Sequence, residues 1–552
     1  MRLNEKLSII GDGPVAYFIA YMLYLESKQA GDRRITIYGK PLENTKPLAE
    51  NLFPSLSPNE LSVIPVGKQL INALQHPYYK LNGGLGIDLP EINDAKTTEE
   101  FINEVLKSSL DNEKYRYRAR VLDDFGQYAM WVWSHLYQQA DPRLRQILDD
   151  CQFIACPKTA EGVKNGYRMN VYYNTSGIEK SLASVVTHFQ SLGYTSTAVL
   201  TPNEVMEKDP LLTDFCNDYS KLNDQNVRVW TKGASVLWKP GGSIDTHKFM
   251  PLFAEYLKAV MGSYTNDQGL QKKCFRVKRR EVTGLAFDPL QHNKLIGLTF
   301  SPNKNHDKKH YKHHEFILCP GSAVGTLRRF GLYEPAAARF VGSSLKLQLP
   351  LSRVKDADLS TYQMHLALSS NQCASVCRAG VDGKNCFIGI AGTTTFYGET
   401  EPKMTDSFAQ IQQVFQLNLL NRVFPRFISI CLGENTRNKT LTVIHLQRLI
   451  DEQIIFRAVG SRAVSFDGAP TIDSGIRRPS GEKITNLCVI THLSSAGVSN
   501  APAAVATSIF LKGRQHPIFH VPKELGQRVL EVSRSTRADI HYQQPSTMQS
   551  KL

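Results

Sequence analysis

Apolar positions fall in short blocks whose spacing changes along the chain. Leu7–Ile10 is a compact apolar run that stops at Gly11-Asp12-Gly13-Pro14. A longer, almost unbroken apolar stretch follows, and Arg34–Tyr38 then alternates around Ile35 and Ile37. The pattern predicts a strand, a tight turn, a helix and a second strand. Residues 100–150 read as helical, with Phe101, Val105 and Leu106, then Tyr128, Trp131, Val132 and Leu136 three to four positions apart as core residues. Strands are expected at Gln152–Cys156, Met169–Tyr173 and Ser196–Leu200, around a helix over Gly177–Leu192. Thr201 with Glu204 forms a capping box that opens another helix. The Trp230–Trp238 strand ends in a turn at Lys239-Pro240-Gly241-Gly242, and the helix His247–Met261 follows it. Phe275–Phe287 and Leu295–Phe300 read as antiparallel strands, and Glu315–Cys319 as an apolar strand running into Pro320-Gly321. A second set is expected at Leu345–Leu351, Gln363–Ser369, Ala374–Arg378 and Phe387–Gly392, then an amphipathic helix over Ser407–Phe424. Near the end, Asn486–Ile490 is a strand, Thr491–Asn500 a small-residue loop, and Ala501–Leu511 a helix; a polar tail covers Asp539–Leu552.

The first and last of these segments share one plan: strand, small-residue loop, helix. Sequence-distant halves would then build a single site. The spacing Gly11-x-Gly13-x-x-Ala16 places small residues where the chain turns, where backbone approaches a pyrophosphate, and where helix meets strand. Pro14 and Val15 open the helix; Pro suits its first turn, where an N–H is expendable. The helix N-terminus would offer free amides and its positive dipole end to a phosphate. A dinucleotide fold ordinarily carries an acid at the end of its second strand for the ribose hydroxyls. Here that strand runs into Gly39 and Lys40, and the nearest downstream acid is Glu43. Three readings stand open: Glu43 curls back, backbone and Lys40 hold the adenosine end, or the pocket has degenerated. The loop Pro47–Pro58, with Ser57, would sit near the same ligand.

At 552 residues the chain exceeds what one core usually supports, so two linked domains are expected. Apolar residues at 42% and charged residues at 21% fit a folded protein rather than a disordered one. No apolar stretch reaches the length of a membrane span. Ten cysteines include no C-x-x-C pair, which predicts buried free thiols rather than a zinc module or disulfide framework. The net charge of 65 − 51 = +14 is dispersed, and basic runs such as Arg276–Arg280 read as solvated edges; nucleic acid is a partner the charge permits but does not favour. His306, His310, His313 and His314 lie in a Lys/Asn-rich connector without regular ligand spacing, so no metal is invoked.

With Leu318-Cys319-Pro320-Gly321-Ser322, Gly460-Ser461-Arg462 leading to Ser465–Pro470, and Leu493-Ser494-Ser495-Ala496-Gly497-Val498-Ser499-Asn500-Ala501-Pro502, the chain resembles the D-amino-acid oxidase family of FAD-dependent amine oxidoreductases. The resemblance spans about 7–512. It implies an α/β chain with a Rossmann-like FAD-binding domain from 1–100, 235–340 and 455–515. Interleaved with it is an antiparallel-sheet substrate domain from 101–234 and 341–454, followed by a partly flexible extension, 516–552. It further implies FAD as cofactor and a small amine or amino-acid substrate whose hydride passes to flavin N5, with O₂ or a quinone as electron acceptor. Ser494, Ser495, Ala496 and Gly497 match the flavin-facing loop, and Pro320 and Gly321 the adenine-ribose side. Arg462 matches an arginine near the flavin, which would clamp a substrate carboxylate or else pair with Asp467; Asp467-Gly468 is a turn at the cleft or an ordinary hairpin. Leu493 stands where many members carry a His, with His492 one place off. A tRNA-modifying amine oxidase and a non-catalytic flavoprotein-fold binding protein are the alternatives. Ser550-Lys551-Leu552 reads as a peroxisomal address in a eukaryotic chain; in a bacterial one the location would be cytoplasmic.

Overall fold

The computed structural model describes residues 6–27, 34–39, 55–56, 85–87, 101, 103–104, 112–151, 153, 167–173, 178–191, 193–208, 212–231, 234–265, 269–300, 309–310, 314–350, 363–369, 372–381, 385–398, 421, 442–466, 468–473, 475–493 and 497–533. The strand β1 (Lys6–Ile10), the helix α1 (Pro14–Ser27) and the strand β2 (Arg34–Gly39) form in the order the apolar pattern predicts. Four further strands complete a six-stranded sheet. Its order is Phe275–Arg279, β2, β1, His314–Leu318, Leu487–Thr491, Thr471–Asp473, and only the last pairing is antiparallel. Strands from five separated stretches of sequence thus share one sheet.

Phe275–Phe287 is not one strand of an antiparallel pair: Phe275–Arg279 joins β2 in parallel, and after a break Val282–Phe287 pairs antiparallel with Leu295–Phe300. Phe275 is buried in the main core, while Leu295, Leu298 and Phe300 belong to a separate cluster with Tyr38 and Phe316. Two different apolar surfaces therefore claim the two halves of the run, and the change of partner falls at Arg280.

The helix α1 is apolar nearly all round because it is enclosed on several sides. Phe18 meets Trp133 edge-on at 5.2 Å between centroids, and Phe253 at 5.3 Å. Trp133 comes from the Asn112–Gln139 helix, and Phe253 from the Thr246–Val260 helix. Trp133 also donates its indole N–H to the Ser499 carbonyl at 2.9 Å, which ties that helix to Gly497–Leu511. Asn112–Gln139 lies in the 101–234 segment, yet Val121, Phe125, Val132 and Leu136 share the core of the parallel sheet. Phe519, Val521, Leu525, Val529 and Val532 do the same, so the helix Lys523–Ser533 is a docked part of that core.

The second sheet has nine strands and is largely antiparallel. Tyr167–Tyr173 pairs in parallel with Gln363–Ser369, so strands from before and after the parallel-sheet segments Phe275–Arg279 and His314–Leu318 share this sheet. Ile455–Ser465 belongs to this sheet, paired with Ala337–Pro350, and the chain crosses to the parallel sheet at the Ser465–Gly468 turn rather than at residue 455. The expected helix Ser407–Phe424 falls almost wholly outside the described residues.

Candidate FAD-binding edge

The site begins from strand direction. β1, His314–Leu318 and Leu487–Thr491 run parallel, with Ile10 opposite Leu318 and Leu318 opposite Val489. Their carboxyl ends therefore open on one edge, where ligands of such sheets bind. The chain leaves that edge from β1 into α1 and from Leu487–Thr491 into Gly497–Leu511. With one strand between them, β1 and Leu487–Thr491 stand about 10 Å apart. Two helix N-termini, each with unpaired amides, thus flank the same edge.

The Gly11 turn explains its glycine by contact. Gly11 has φ +111°, and a Cβ there would collide with the carbonyl oxygen of Cys319. Its N–H donates to the Tyr38 carbonyl at 2.9 Å, and Cys319 donates to the Ile10 carbonyl at 2.7 Å. Three strands are stitched together where the backbone turns. Gly13 differs: a Cβ built on it meets none of the described residues within 4 Å. Among the described residues Gly13 therefore presents bare backbone at the start of α1, while Val15 and Ala16 are buried. That cradle fits a pyrophosphate by both shape and charge.

On the other side of Cys319, Pro320 starts a turn whose carbonyl accepts from Ala323 at 3.1 Å, and Gly321 is exposed with φ +62°. The last helix begins at Gly497, not Ala501 as its small residues suggest. Val498, Ser499 and Asn500 are already helical and buried, because small side chains let this helix approach α1 and Asn112–Gln139 closely. Ser55–Leu56 pairs with Gly242–Ser243 and lies against the same helix. Arg462 sits half-buried within Ile455–Ser465, opposite Phe340. Gly468 closes the following turn with φ +72°, its N–H donating to the Ser465 carbonyl at 2.9 Å. Lys40, Glu43, Ser57, Asp467, Ser494, Ser495, Ala496 and the tripeptide Ser550–Leu552 lie outside the described residues.

Two features at this edge were given no role by the sequence alone. Glu334 has an almost fully buried side chain; it accepts from the backbone N–H groups of Gly325 at 3.1 Å and Arg328 at 3.3 Å, and His492 Nε2 lies 3.6 Å from its Oε1. His492 itself has φ +58°, an uncommon conformation for a residue with a Cβ, and its Nδ1 is 2.9 Å from Thr471 Oγ1. The ring thereby fixes the chain direction just before Leu493–Gly497. Replacing Glu334 with Ala would strand one buried and one partly buried donor, so we expect a loss of roughly 1–3 kcal/mol. A denaturant midpoint within about 0.5 kcal/mol of the parent would refute that role. The second feature is Asp12, whose carboxylate pairs with Arg279.

Among the described residues no group of three or more His, Cys, Asp or Glu could hold a metal, and no helix is long and apolar enough to cross a membrane. Cys151, Cys216, Cys274, Cys319 and Cys488 are free and buried. Burial pushes the Cys151 thiol up to about 12 and Cys488 to about 11, which leaves both protonated and unreactive at neutral pH.

No family model matches the chain, and neither does any curated protein. Solved structures do. An L-amino acid deaminase from Proteus vulgaris gives a TM-score of 0.50 at 10% identity, over 96% of this chain and 97% of that one. A variant of amadoriase I from Aspergillus fumigatus gives 0.50 at 11% identity, over 98% and 91%. The chain has the D-amino-acid-oxidase-like fold. Both chains match along nearly their whole lengths, so the likeness to the D-amino-acid-oxidase-like fold covers the second sheet as well as the parallel one. At these identities it speaks for architecture, and the chemistry is argued from this chain's own residues.

Proposed function

We propose that the protein is an FAD-dependent oxidoreductase that oxidises the C–N bond of an amino acid or other amine. The observation that carries this reading is the meeting of the Gly11–Ala16 turn and the Gly497 helix N-terminus on one sheet edge, with the cradle beside Gly13 open. FAD bound there would supply a two-electron acceptor for the substrate α-hydride. Gly11, Gly13, Pro14, Val15 and Ala16 would hold its pyrophosphate through backbone amides and the α1 dipole. Gly497, with Ser494, Ser495 and Ala496 before it, would face the ring, and Pro320 and Gly321 the adenosine side.

Few acid or base groups are needed when an amine arrives as its free base. The protein's share is orientation and exclusion of water. Arg462 is the candidate clamp for a substrate carboxylate, since its planar fork holds two oxygens at once. Lys40, Ser57 and Asp467 complete the proposed set on sequence grounds.

The purified protein is expected to be yellow, with flavin bands in the near ultraviolet and blue. A panel of amines and amino acids of both hands, added without oxygen, should bleach those bands for the substrate class; admitting O₂ or a quinone then identifies the acceptor. Colourless protein that takes up no added FAD would overturn the assignment.

A further inference from the structure

The second strand of a dinucleotide fold normally ends in the carboxylate that receives the adenosine ribose. In this chain β2 ends in Gly39, and the space a side chain would fill there is taken: a Cβ on Gly39 would collide with the carboxylate and Cβ of Asp12. Asp12 belongs to the preceding turn, between Gly11 and Gly13, yet its acid group lies over the end of β2. Arg279 holds it there. That arginine stands directly opposite Gly39 in the parallel pairing of Phe275–Arg279 with β2, and its guanidinium donates to Asp12 Oδ2. Tyr17, on the first turns of α1, completes the cluster, with its hydroxyl against Arg279. Asp12 and Arg279 side chains are each 32% exposed, so the pair lies at the mouth of the edge. Asp12 Oδ1 accepts from none of the described residues.

We propose that Asp12, anchored by Arg279 across Gly39, is the acceptor for the adenosine ribose hydroxyls of the bound dinucleotide. This rests on the FAD reading above and answers the question that the absent strand-end acid poses. Three positions act as one device. Gly39 must lack a side chain so that the carboxylate can lie over it; Asp12 supplies the acceptor; Arg279 holds the acceptor in place and turned toward the edge. The remaining oxygen is then free to accept from the 2′-hydroxyl. The basic run Arg276–Arg280, read from sequence as a solvated edge, acquires a task at its one member that reaches the site.

The test uses the full-length chain freed of flavin and titrated calorimetrically with FAD, FMN, ADP and 2′-deoxy-ADP. The parent protein should bind ADP about tenfold more tightly than 2′-deoxy-ADP, the discrimination expected of a hydrogen bond to a charged acceptor. In Asp12→Ala that preference should fall to about one, with FAD weakened by about tenfold or more. FMN, which lacks the adenosine half, should keep its parental affinity. Gly39→Ala, which displaces the carboxylate while leaving Asp12 in the sequence, should reproduce the loss of ribose preference and serves if Asp12→Ala folds poorly. A folded Asp12→Ala that still prefers ADP over 2′-deoxy-ADP overturns the inference and leaves the FAD assignment standing. A parent protein that takes up neither FAD nor ADP overturns both.

Discussion

Gly11→Val should fail to accumulate as folded protein. The backbone at Gly11 has φ +111°, a region that a β-branched residue does not enter without strain of about 1–3 kcal/mol. The added carbons would also strike the Cys319 carbonyl, which is backbone and has no flexible end to swing away. Cys319 is held by its bond to the Ile10 carbonyl, and Gly11 by its bond to the Tyr38 carbonyl, so relief requires prising β1 from both neighbours. Together the two effects should cost roughly 3–6 kcal/mol, against a typical net stability of about 5–15 kcal/mol. Soluble yield and the urea midpoint followed by circular dichroism report the outcome. A variant that unfolds at the parental midpoint would show that the turn is not built as described.

Gly13→Glu should do the opposite: fold normally and lose the cofactor. None of the described residues lies within 4 Å of a Cβ at this position, so the side chain has room and the cofactor-free protein should melt within about 1 kcal/mol of the parent. The carboxylate would, however, stand in the cradle at the α1 N-terminus where an anionic pyrophosphate is proposed to lie. Like charges held together cost several kcal/mol, and each 1.4 kcal/mol is tenfold, so FAD affinity should fall by at least roughly two orders of magnitude. Equilibrium dialysis against FAD, with the melting temperature measured alongside, separates loss of binding from loss of fold. Undiminished uptake would move the pyrophosphate elsewhere.

The strand–turn–helix at each end of the chain was legible because it is written locally: an apolar run, small residues, then a helical period. Gly11 and Gly13 look alike in sequence, and only the neighbours distinguish them, Cys319 for one and open space for the other. The Thr201–Glu204 capping box was equally local, and it forms, with Thr201 N–H donating to Glu204 Oε2 at 2.7 Å. What sequence missed depends on partners far along the chain. The Phe275–Phe287 run gives no sign that its halves join different sheets, since both carry β-forming residues in strand-like spacing. The start of the last helix was misplaced because Gly497, Ser499 and Asn500 have turn-like propensities that close packing against α1 and Asn112–Gln139 overrides. Glu334 carried no local signal at all. Asp12 carried one, its place inside the glycine turn, but its meaning appears only beside Gly39 and Arg279.

The order in which strands enter the parallel sheet has a consequence for biosynthesis. β1 and β2 leave the ribosome first, yet their flanking partners are Phe275–Arg279 and His314–Leu318, and the cofactor edge lacks its far wall until Leu487–Thr491 has been made. During most of translation the nascent N-terminal unit holds an unpaired strand on each side and the apolar α1 without its cover, the kind of surface that chaperones shield. If the edge holds flavin as proposed, its capture would follow the synthesis of Leu487–Thr491, and a product truncated before residue 487 should retain none.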